Sequence, residues 1–396
     1  MDPAPLSAVI FENITSDDSR LDLQVRVSSA EGETVFPLWF EFNQPTLLLP
    51  DLIALALSTL CIGAYSSVHF DLAISERCRR EIEGYVGCSV STAGETTSLP
   101  RRVSAGVGST LSFSGGFDSL AALSLMPDET RLVSLDFGGR FSRERDYFET
   151  FDTHIVKTNL VETGLHKASW SFMGIAAILT AATTHSRYIT FGGIIEAGAK
   201  NLGADPAAAL NKAFPPFAST GLRYAPYVLG LTEVGTVQAL LLSHPERLAP
   251  SLQSLGAPGG EKSYRKFALM SLVSDRLSLD VPGVQEMAAP AEPHFAFGKK
   301  FAIDFLALYA LKAGGDEFSA RLVRDMPDSV KVAASRLSLR FYERANTSLY
   351  ENFPPDLVTG LWSRLSAVGI LPYTERDWSD VAAVREILAP YHPAVR

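Results

Sequence analysis

The sequence predicts an α/β protein with a parallel, doubly wound sheet, a small N-terminal α+β domain and a helical C-terminal extension. Three observations lead to this prediction. Apolar and polar residues alternate with a period of two in residues 1–48, which is typical of a hairpin or small antiparallel sheet. Strand-like and helix-like segments alternate over residues 109–194 with short connections, as in βαβ units. Loop-rich sequence and several helix-like segments follow residue 200.

The bulk composition restricts the classes of protein and partner. A chain of 396 residues is long enough for about two domains. Hydrophobic residues are 46% and charged residues 20% of the chain, which is typical of a globular protein with a substantial core. The formal net charge of −9 argues against a nucleic-acid partner, since neutralising phosphates requires surplus Lys and Arg.

The first hundred residues predict antiparallel strands followed by helix. The segments LDLQVRV and PLWFEF carry the alternation, and residues 51–86 are expected to be helical, ending near Gly84. The apolar run at residues 52–64 is too short to span a bilayer and indicates a buried helix, so no membrane partner is expected. The Ser-, Thr- and Gly-rich run at residues 89–108 predicts an exposed connection between domains.

The cysteines and the N-terminus indicate a cytoplasmic location. Cys61, Cys78 and Cys88 form an odd, sparse set, which favours free thiols in a reducing compartment, and their spacing fits no metal site. The acidic N-terminal segment lacks the basic residues and apolar stretch of a signal peptide.

The domain boundaries follow from these patterns. We expect an N-terminal domain at residues 1–105, a parallel-sheet domain at residues 106–275 and a helical extension at residues 276–396. The four predicted parallel strands are TLSFS (110–114), RLVSLDF (131–137), THIVKTN (153–159) and YITFGGI (188–194). The predicted helices are DSLAALSLM, RERDYFETF, WSFMGIAAILTAATTH, YRKFALMSLVSDRL, FAIDFLALYALKAG and segments near 328–346, 355–367 and 377–389.

The stretch TLSFSGGFDSLAAL, residues 110–123, lies where the first of these strands becomes a helix. Gly115 and Gly116 let backbone N–H groups point inward, and the helix start adds unpaired donors and the positive end of its dipole. Such a turn can hold an anion. A plain tight turn in which Asp118 or Ser119 caps the helix accounts for the same residues. The Lys of a Walker A loop and the spacing of a dinucleotide fingerprint are both missing.

The segment Ser114-Gly115-Gly116-Phe117-Asp118-Ser119 resembles the SGGxDS signature of the PP-loop ATP pyrophosphatases, which have the HUP, or adenine nucleotide alpha-hydrolase-like, fold. Leu135-Asp136-Phe137-Gly138 resembles the segment that receives adenine in that family, and Gly192-Gly193 a glycine pair that lines its nucleotide pocket. The resemblance covers roughly residues 108–275 and implies ATP and Mg²⁺ as cofactors. The nucleotide-binding residues it implies are Ser112, Ser114, Gly115, Gly116, Phe117, Asp118, Ser119, Asp136, Phe137, Gly192 and Gly193.

Within this family the chain resembles a divergent 7-cyano-7-deazaguanine synthase branch. Those enzymes carry a cysteine-rich zinc knot before a helix with Lys and Arg, but the similar segment at residues 251–266 contains no cysteine. Serine and tyrosine cannot replace thiolates in a structural zinc site, so no zinc is expected. The adenine segment also has Phe137 where a tyrosine is usual, and the deazaguanine substrate is therefore not implied.

The chemistry implied by the resemblance is transfer of AMP. A carboxylate or amide oxygen attacks the α-phosphate of ATP, pyrophosphate leaves, and a nitrogen nucleophile then displaces AMP in a ligase, amidotransferase or nitrile-forming reaction. Backbone N–H groups at residues 115–119 and Mg²⁺ would stabilise the leaving pyrophosphate. Asp118 is expected to cap the helix or to hold the metal indirectly. Lys262, Arg265 and Lys266 are expected to offset the phosphate charge, with a solvated helix face as the alternative.

Two other functions stay open. A catalytically weakened nucleotide-binding protein with a macromolecular partner would account for the lost cysteines and the changed adenine segment. A tRNA or small-molecule sulfur transferase is disfavoured, because all three cysteines precede the motif and the chain is acidic. For the adenylating enzyme the acceptor is an unidentified small molecule, peptide or protein. Glu196 is expected either in the acceptor pocket or on a surface loop, and the N-terminal strands are compatible with a homodimer contact.

Overall fold

The structure is a computed structural model that describes residues 7–96, 108–209, 221–255 and 260–396. It is a mixed α/β protein whose chain divides into two compact units. The sheet unit comprises Met1–Ser114, Asp128–Phe191 and Phe214–Ala225. The helical unit comprises Gly115–Pro127, Gly192–Ala213 and Pro226–Arg396.

The described residues form ten strands, all in the sheet unit. They are β1 Ala8–Ser16, β2 Arg20–Ser29, β3 Gly32–Phe42, β4 Ser67–Ile74, β5 Ser89–Glu95, β6 Gly108–Ser112, β7 Arg131–Asp136, β8 Thr153–Thr158, β9 Ser186–Thr190 and β10 Arg223–Tyr224. They pair into one sheet of order β10-β9-β6-β7-β8-β3-β2-β1-β4-β5. The pairs β1–β2, β2–β3 and β3–β8 are antiparallel and the other pairs of this sheet are parallel.

The described residues form helices in both the sheet unit and the helical unit. They are α1 Pro50–Ser58, α2 Glu76–Val86, α3 Phe117–Leu125, α4 Ser142–Phe148, α5 Leu160–Thr163, α6 Ile175–Leu179, α7 Glu233–Ser243, α8 Leu248–Ser254, α9 Glu261–Leu277, α10 Phe301–Ala320, α11 Asp328–Ser335, α12 Pro355–Ala367 and α13 Glu375–Leu388. Helices α1, α2, α4, α5 and α6 belong to the sheet unit, and α3 and α7 to α13 to the helical unit. No helix in the described ranges is both long and apolar enough to cross a membrane.

The predicted N-terminal antiparallel strands are confirmed by β1, β2 and β3. In β2 the side chains of Leu21, Leu23 and Val25 are buried while that of Gln24 is exposed, as the period of two requires. The buried faces of these strands and the apolar helix α1 contribute to one core. The hydrophobic run at residues 52–64 therefore begins as the buried helix that its composition indicates.

The helical prediction for residues 51–86 is wrong in its middle, where β4 separates α1 from α2. Val68 and Phe70 of β4 are buried between less buried neighbours, and this short alternation lies between two strongly helical stretches that mask it. The prediction of an exposed connection at residues 89–108 is also wrong at its start, because β5 pairs in parallel with β4. The part of that run at residues 97–107 lies outside the described residues.

The division of the chain differs from the boundaries expected at residues 105 and 275. Strand β3 pairs with β8, with Phe40 opposite Thr158 and Phe42 opposite Val156. Strands from both sides of residue 105 therefore belong to one sheet. Residues 115–127, which contain α3, belong to the helical unit together with the segments that follow residue 226.

The predicted parallel strands are confirmed as β6, β7, β8 and β9, and β10 adds a fifth. Numbered along the chain from β6, these five strands lie in the order third, second, first, fourth, fifth. The order reverses beside β6, between β6 and β9, which makes this point the topological switch of the parallel part. The long helix expected after Trp170 is instead a 3₁₀ helix, Trp170–Gly174, and the short α6.

Helices α10 to α13 confirm the expected helical C-terminal region. Its core is aromatic: the rings of Phe305 and Phe341 lie 4.5 and 4.4 Å from that of Tyr342, whose hydroxyl donates to the Phe305 carbonyl oxygen at 2.6 Å. Gly315 interrupts α10 with a φ of 82°, just after the predicted end of the helix at residue 314.

Candidate functional site

The motif predicted to bind phosphate forms a strand–turn–helix. Strand β6 ends at Ser112 and α3 begins at Phe117. Gly115 has a φ of 73°, in the left-handed region that glycine adopts with least strain. The N-cap of α3 is Gly116, which has no side chain with which to cap the helix. The division between the two units runs through the motif, between Ser114 and Gly115.

The capping role expected for Asp118 or Ser119 is wrong. The N-cap of α3 is Gly116, and the Ser119 hydroxyl donates to the carbonyl oxygen of Gly116 at 2.9 Å. The carboxylate of Asp118 accepts hydrogen bonds from Thr236 Oγ1 at 3.0 Å and from Lys266 Nζ at 3.1 Å. Asp118 is therefore held by helices α7 and α9, which follow it by more than a hundred residues in the chain.

Gly192 approaches the backbone at the start of α3. A Cβ atom at this position would lie 2.8 Å from the amide nitrogen of Ser119 and 3.0 Å from the carbonyl carbon of Asp118. These distances are shorter than van der Waals contact, so only glycine fits. Gly192 thus supports the first turn of α3 by close packing, and its neighbour Gly193 is half-buried.

Lys266 links α9 to the first turns of two other helices. Its side chain is 5% exposed, and its Nζ forms an ion pair with Asp118 and another with Glu233, the first residue of α7. Nζ also lies 5.4 Å from the centre of the Phe117 ring, a distance at which the cation is attracted by the ring face.

Arg265 completes this arrangement. Its Nη1 donates to Glu233 Oε1 at 2.7 Å, and its Nε donates to Glu261 Oε1 at 2.9 Å. Asp118, Glu233 and Glu261 each lie in the first turn of their helix, where the helix dipole favours negative charge. These three carboxylates with Arg265 and Lys266 are called the carboxylate–cation cluster below.

Glu233 and Lys266 of the carboxylate–cation cluster stay ionised despite burial. Burial opposes the charge on Glu233, but Arg265 and Lys266 outweigh it and hold the pKa of this carboxyl below its usual range. Burial likewise opposes the charge on Lys266, while Asp118 and Glu233 raise its pKa. Both cations are thus neutralised by carboxylates of the same unit. Lys262, in the first turn of α9, is exposed.

Glu196 lies in a 3₁₀ helix, Ile195–Ala197, and the surface-loop interpretation is wrong, because the residue is 8% exposed. Its Oε1 accepts a hydrogen bond from the backbone N–H of Glu233 at 2.9 Å. Its Oε2 is buried and has no hydrogen-bond partner among the described residues. Burial, and then the negative charge of Glu233, raise the pKa of Glu196 to about 8, so it is protonated at neutral pH.

The remaining predicted site residues lie in the sheet unit, at the ends of the adjacent strands β6 and β7. The hydroxyl of Ser112 is buried without a hydrogen-bond partner among the described residues, and Ser114 is half-buried. Asp136 is buried and accepts from the backbone N–H of Gly138 at 2.8 Å. Phe137 is half-buried, with its ring 5.5 Å from that of Phe141.

Three residues near the motif were not predicted from the sequence as its partners. Glu233 and Thr236 contact Lys266 and Asp118, as described above. Ser251, noted only in the segment similar to a zinc knot, is buried and donates to the Gly115 carbonyl oxygen at 2.6 Å. One local feature of the sequence marks the helix that carries Glu233 and Thr236. Thr232 precedes Glu233 at the start of α7, and its side chain caps this helix by accepting a hydrogen bond from the N–H of Gly235.

In the part of the chain that the structure describes, no group of three or more His, Cys, Asp or Glu side chains is placed to hold a metal ion. Comparison of the chain with protein-family models, with curated proteins and with solved structures found no match.

We predict that Lys266→Met destabilises the protein by about 3–5 kcal/mol, because it leaves Glu233 and Asp118 without their shared cation. Urea unfolding of the purified variant measures this free energy. Lys262→Met is the matched control on the same helix and should stay within about 0.5 kcal/mol of the wild type, since Lys262 is exposed. Equal effects of the two substitutions would contradict the structural role of Lys266.

We predict that Gly192→Ala destabilises the protein by about 1–3 kcal/mol, because the added methyl group overlaps the backbone of Ser119. The melting temperature from circular dichroism gives the effect. The control is Gly360→Ala in α12, where the new Cβ meets only the end of the flexible Arg364 side chain at 3.5 Å. That variant should be as stable as the wild type or slightly more so.

We predict that the stability contributed by Glu196 falls as the pH rises. Its folded-state pKa of about 8 lies above the ordinary value of 4.5, so the folded state binds a proton that the unfolded state releases between these pH values. The wild type should therefore lose a few kcal/mol relative to Glu196→Gln between about pH 5 and pH 8. Urea unfolding at both pH values gives the change, and parallel stability profiles for the two proteins would refute it. Glu317→Gln, at an exposed position of α10, should leave the wild-type pH dependence unchanged.

Proposed function

We propose that the chain is an ATP-dependent enzyme of the PP-loop type. It adenylates a carboxylate or amide oxygen with release of pyrophosphate, and a nitrogen nucleophile then displaces AMP. One observation carries the proposal: the segment SGGFDS follows β6, the strand beside which the order of the parallel strands reverses. Open α/β sheets bind their ligands beyond the carboxyl ends of the strands at such a switch point.

The fold proposal rests on the strand order. The order of β8, β7, β6, β9 and β10 corresponds to 3-2-1-4-5, which supports a doubly wound sheet of the HUP type for this part of the chain. The two glycine pairs of the site follow the two strands that flank the switch point, Gly115-Gly116 after β6 and Gly192-Gly193 after β9.

The motif residues fit a nucleotide phosphate. Gly115 turns the chain with a positive φ, and the N-cap of α3 is Gly116, which has no side chain between the backbone and a ligand. The first-turn N–H groups of a helix have no acceptor within the helix and attract anions. We assign the β- and γ-phosphates to Gly115, Gly116, Phe117, Asp118 and Ser119.

The metal role belongs to Asp118, whose side chain is 30% exposed. Mg²⁺ is commonly held by one or two carboxylates together with substrate phosphates, so a dedicated cage of side chains is not required. When bound, Mg²⁺ would neutralise charge that builds on the leaving pyrophosphate. Lys266 and Thr236 position the Asp118 carboxylate, and Lys262 is the exposed cation that we assign to the phosphates.

A second candidate function is a nucleotide-binding protein with weakened catalysis. The observation that favours it is the engagement of Arg265 and Lys266 by Glu233, Glu261 and Asp118. Cations neutralised in this way give less stabilisation to a developing phosphate charge than free ones. This candidate predicts ATP binding without turnover.

We place the protein in the cytoplasm, because Cys61, Cys78 and Cys88 are all free thiols. The acceptor is a small molecule, a peptide or a protein. The net charge of −9 disfavours nucleic acid as the acceptor.

The test is to incubate the protein with Mg²⁺, α-labelled ATP, ammonium and a panel of carboxylic acids and amides, and to separate the labelled products. AMP with stoichiometric pyrophosphate is expected. Asp118→Asn should lower the rate about 10²-fold or more, because it removes the carboxylate that we assign to Mg²⁺ at the phosphate site. The exposed Asp146→Asn is the matched control and should retain full activity.

Calorimetric titration with ATP separates the outcomes. Binding without turnover would favour the second candidate, provided that Ser114→Ala weakens the binding. ADP with inorganic phosphate as products would contradict the PP-loop mechanism. Absence of ATP binding by the folded protein would contradict both candidates.

A further inference from the structure

The sheet unit carries a surface pocket that the proposed function does not use. Its volume is about 600 Å³, within the range of small-molecule sites. Three segments line it: the turn between β1 and β2 at residues 16–18, the chain after β3 at residues 45–48, and the chain before β9 at residues 182–185. We propose that this pocket binds a small organic cation, a primary ammonium carried on an apolar body.

The pocket is preformed, because hydrogen bonds join its three segments. The backbone N–H of Thr46 donates to the carbonyl oxygen of Asp18 at 2.7 Å. The N–H of Leu47 donates to the Thr183 hydroxyl at 2.8 Å. Beneath them the Thr46 hydroxyl lies 3.0 Å from Nε2 of the buried His154. A ligand that enters therefore does not have to order the walls, which reduces the cost of binding.

The lining suits an apolar body. Pro45, Leu47, Leu48 and Ala182 contribute hydrophobic surface to the pocket. Leu47 is 59% exposed, although its backbone N–H is held by the Thr183 hydroxyl. An aliphatic ligand would remove this surface from water, which is the main source of affinity in such pockets.

The charge at one edge selects a cation. Asp17 and Asp18 are both exposed at the pocket. Asp17 Oδ1 accepts three hydrogen bonds at 2.8 Å, from the N–H and hydroxyl of Ser19 and from the N–H of Arg20. The hydrogen bonds from Ser19 are the main cause of a lowered pKa of Asp17, and they favour its ionised form. The adjacent guanidinium of Arg20 bonds to Asp22 and Glu41.

Anionic and neutral guests are less well matched. A phosphate or carboxylate would be repelled by two neighbouring carboxylates, and a purely apolar molecule would gain nothing from their charge. The third segment ends at the exposed His185. The pocket thus combines an apolar surface with a negatively charged edge, which complements an alkylammonium ion.

The test uses n-hexylamine as the probe and 1-hexanol as its neutral counterpart. Protein with isotope-labelled leucine methyl groups is titrated with each at pH 7.5 and low salt. Saturable shifts of the Leu47 and Leu48 methyl signals are expected for the amine, with a dissociation constant of about 1 mM for so small a ligand. The alcohol should bind at least about fivefold more weakly, because it lacks the charge.

The double variant Asp17→Asn/Asp18→Asn should weaken amine binding about fivefold or more and leave alcohol binding unchanged. Asparagine can still accept the turn hydrogen bonds, and both positions are exposed, so the fold is retained. Asp71→Asn/Asp146→Asn, at exposed positions that do not line the pocket, is the matched control and should bind like the wild type. Equal affinity for amine and alcohol, amine binding unchanged in the double variant, or no saturable shift at Leu47 would each overturn the proposal. None of these results depends on ATP turnover.

Discussion

The buried ion pairs around Glu233 fix the geometry on which the candidate site depends. Removing a carboxylate and an ammonium from water is costly, and the arrangement persists because each charge has close opposite charges. Glu233 meets both Arg265 and Lys266, and Lys266 reaches on to Asp118. The first turns of α3, α7 and α9 are thereby tied together. The position of the SGGFDS helix start is thus set by charges distant in the sequence.

Much of the fold follows from local patterns. Strands β6, β7 and β8 are short segments with Leu, Val or Ile between turn residues, and the first part of α10 stops at Gly315, so their sequences predict them. Strand β4 was missed because its brief alternation lies between two helices. The extent of the sheet was missed because the pairing of β3 with β8 depends on residues far apart in the chain, such as Phe40 and Thr158, whose sequences do not reveal the pairing.

The candidate site also has features that the sequence predicts and features that it does not. Gly115 and the helix start are visible in the sequence, since a glycine pair between an apolar run and a helix-like segment is typical of a tight strand-to-helix turn. The contacts of Asp118 are not visible, because Thr236 looks like an ordinary helix residue and Lys266 meets a carboxylate only when α7 and α9 are packed. Glu196 could not be recognised for the same reason, because the burial that raises its pKa leaves no sign in the neighbouring sequence.

The pairing of β3 with β8 also bears on how the chain reaches its native state. The N-terminal strands can form hairpins as soon as they are synthesised, but β3 has its second neighbour only after β8 has left the ribosome. Until then an extended edge with unpaired backbone groups is exposed, of the kind that promotes aggregation. The nascent sheet therefore remains incomplete for the time that the ribosome needs to translate the intervening segment. Contacts between such distant residues also slow folding once the whole chain is available.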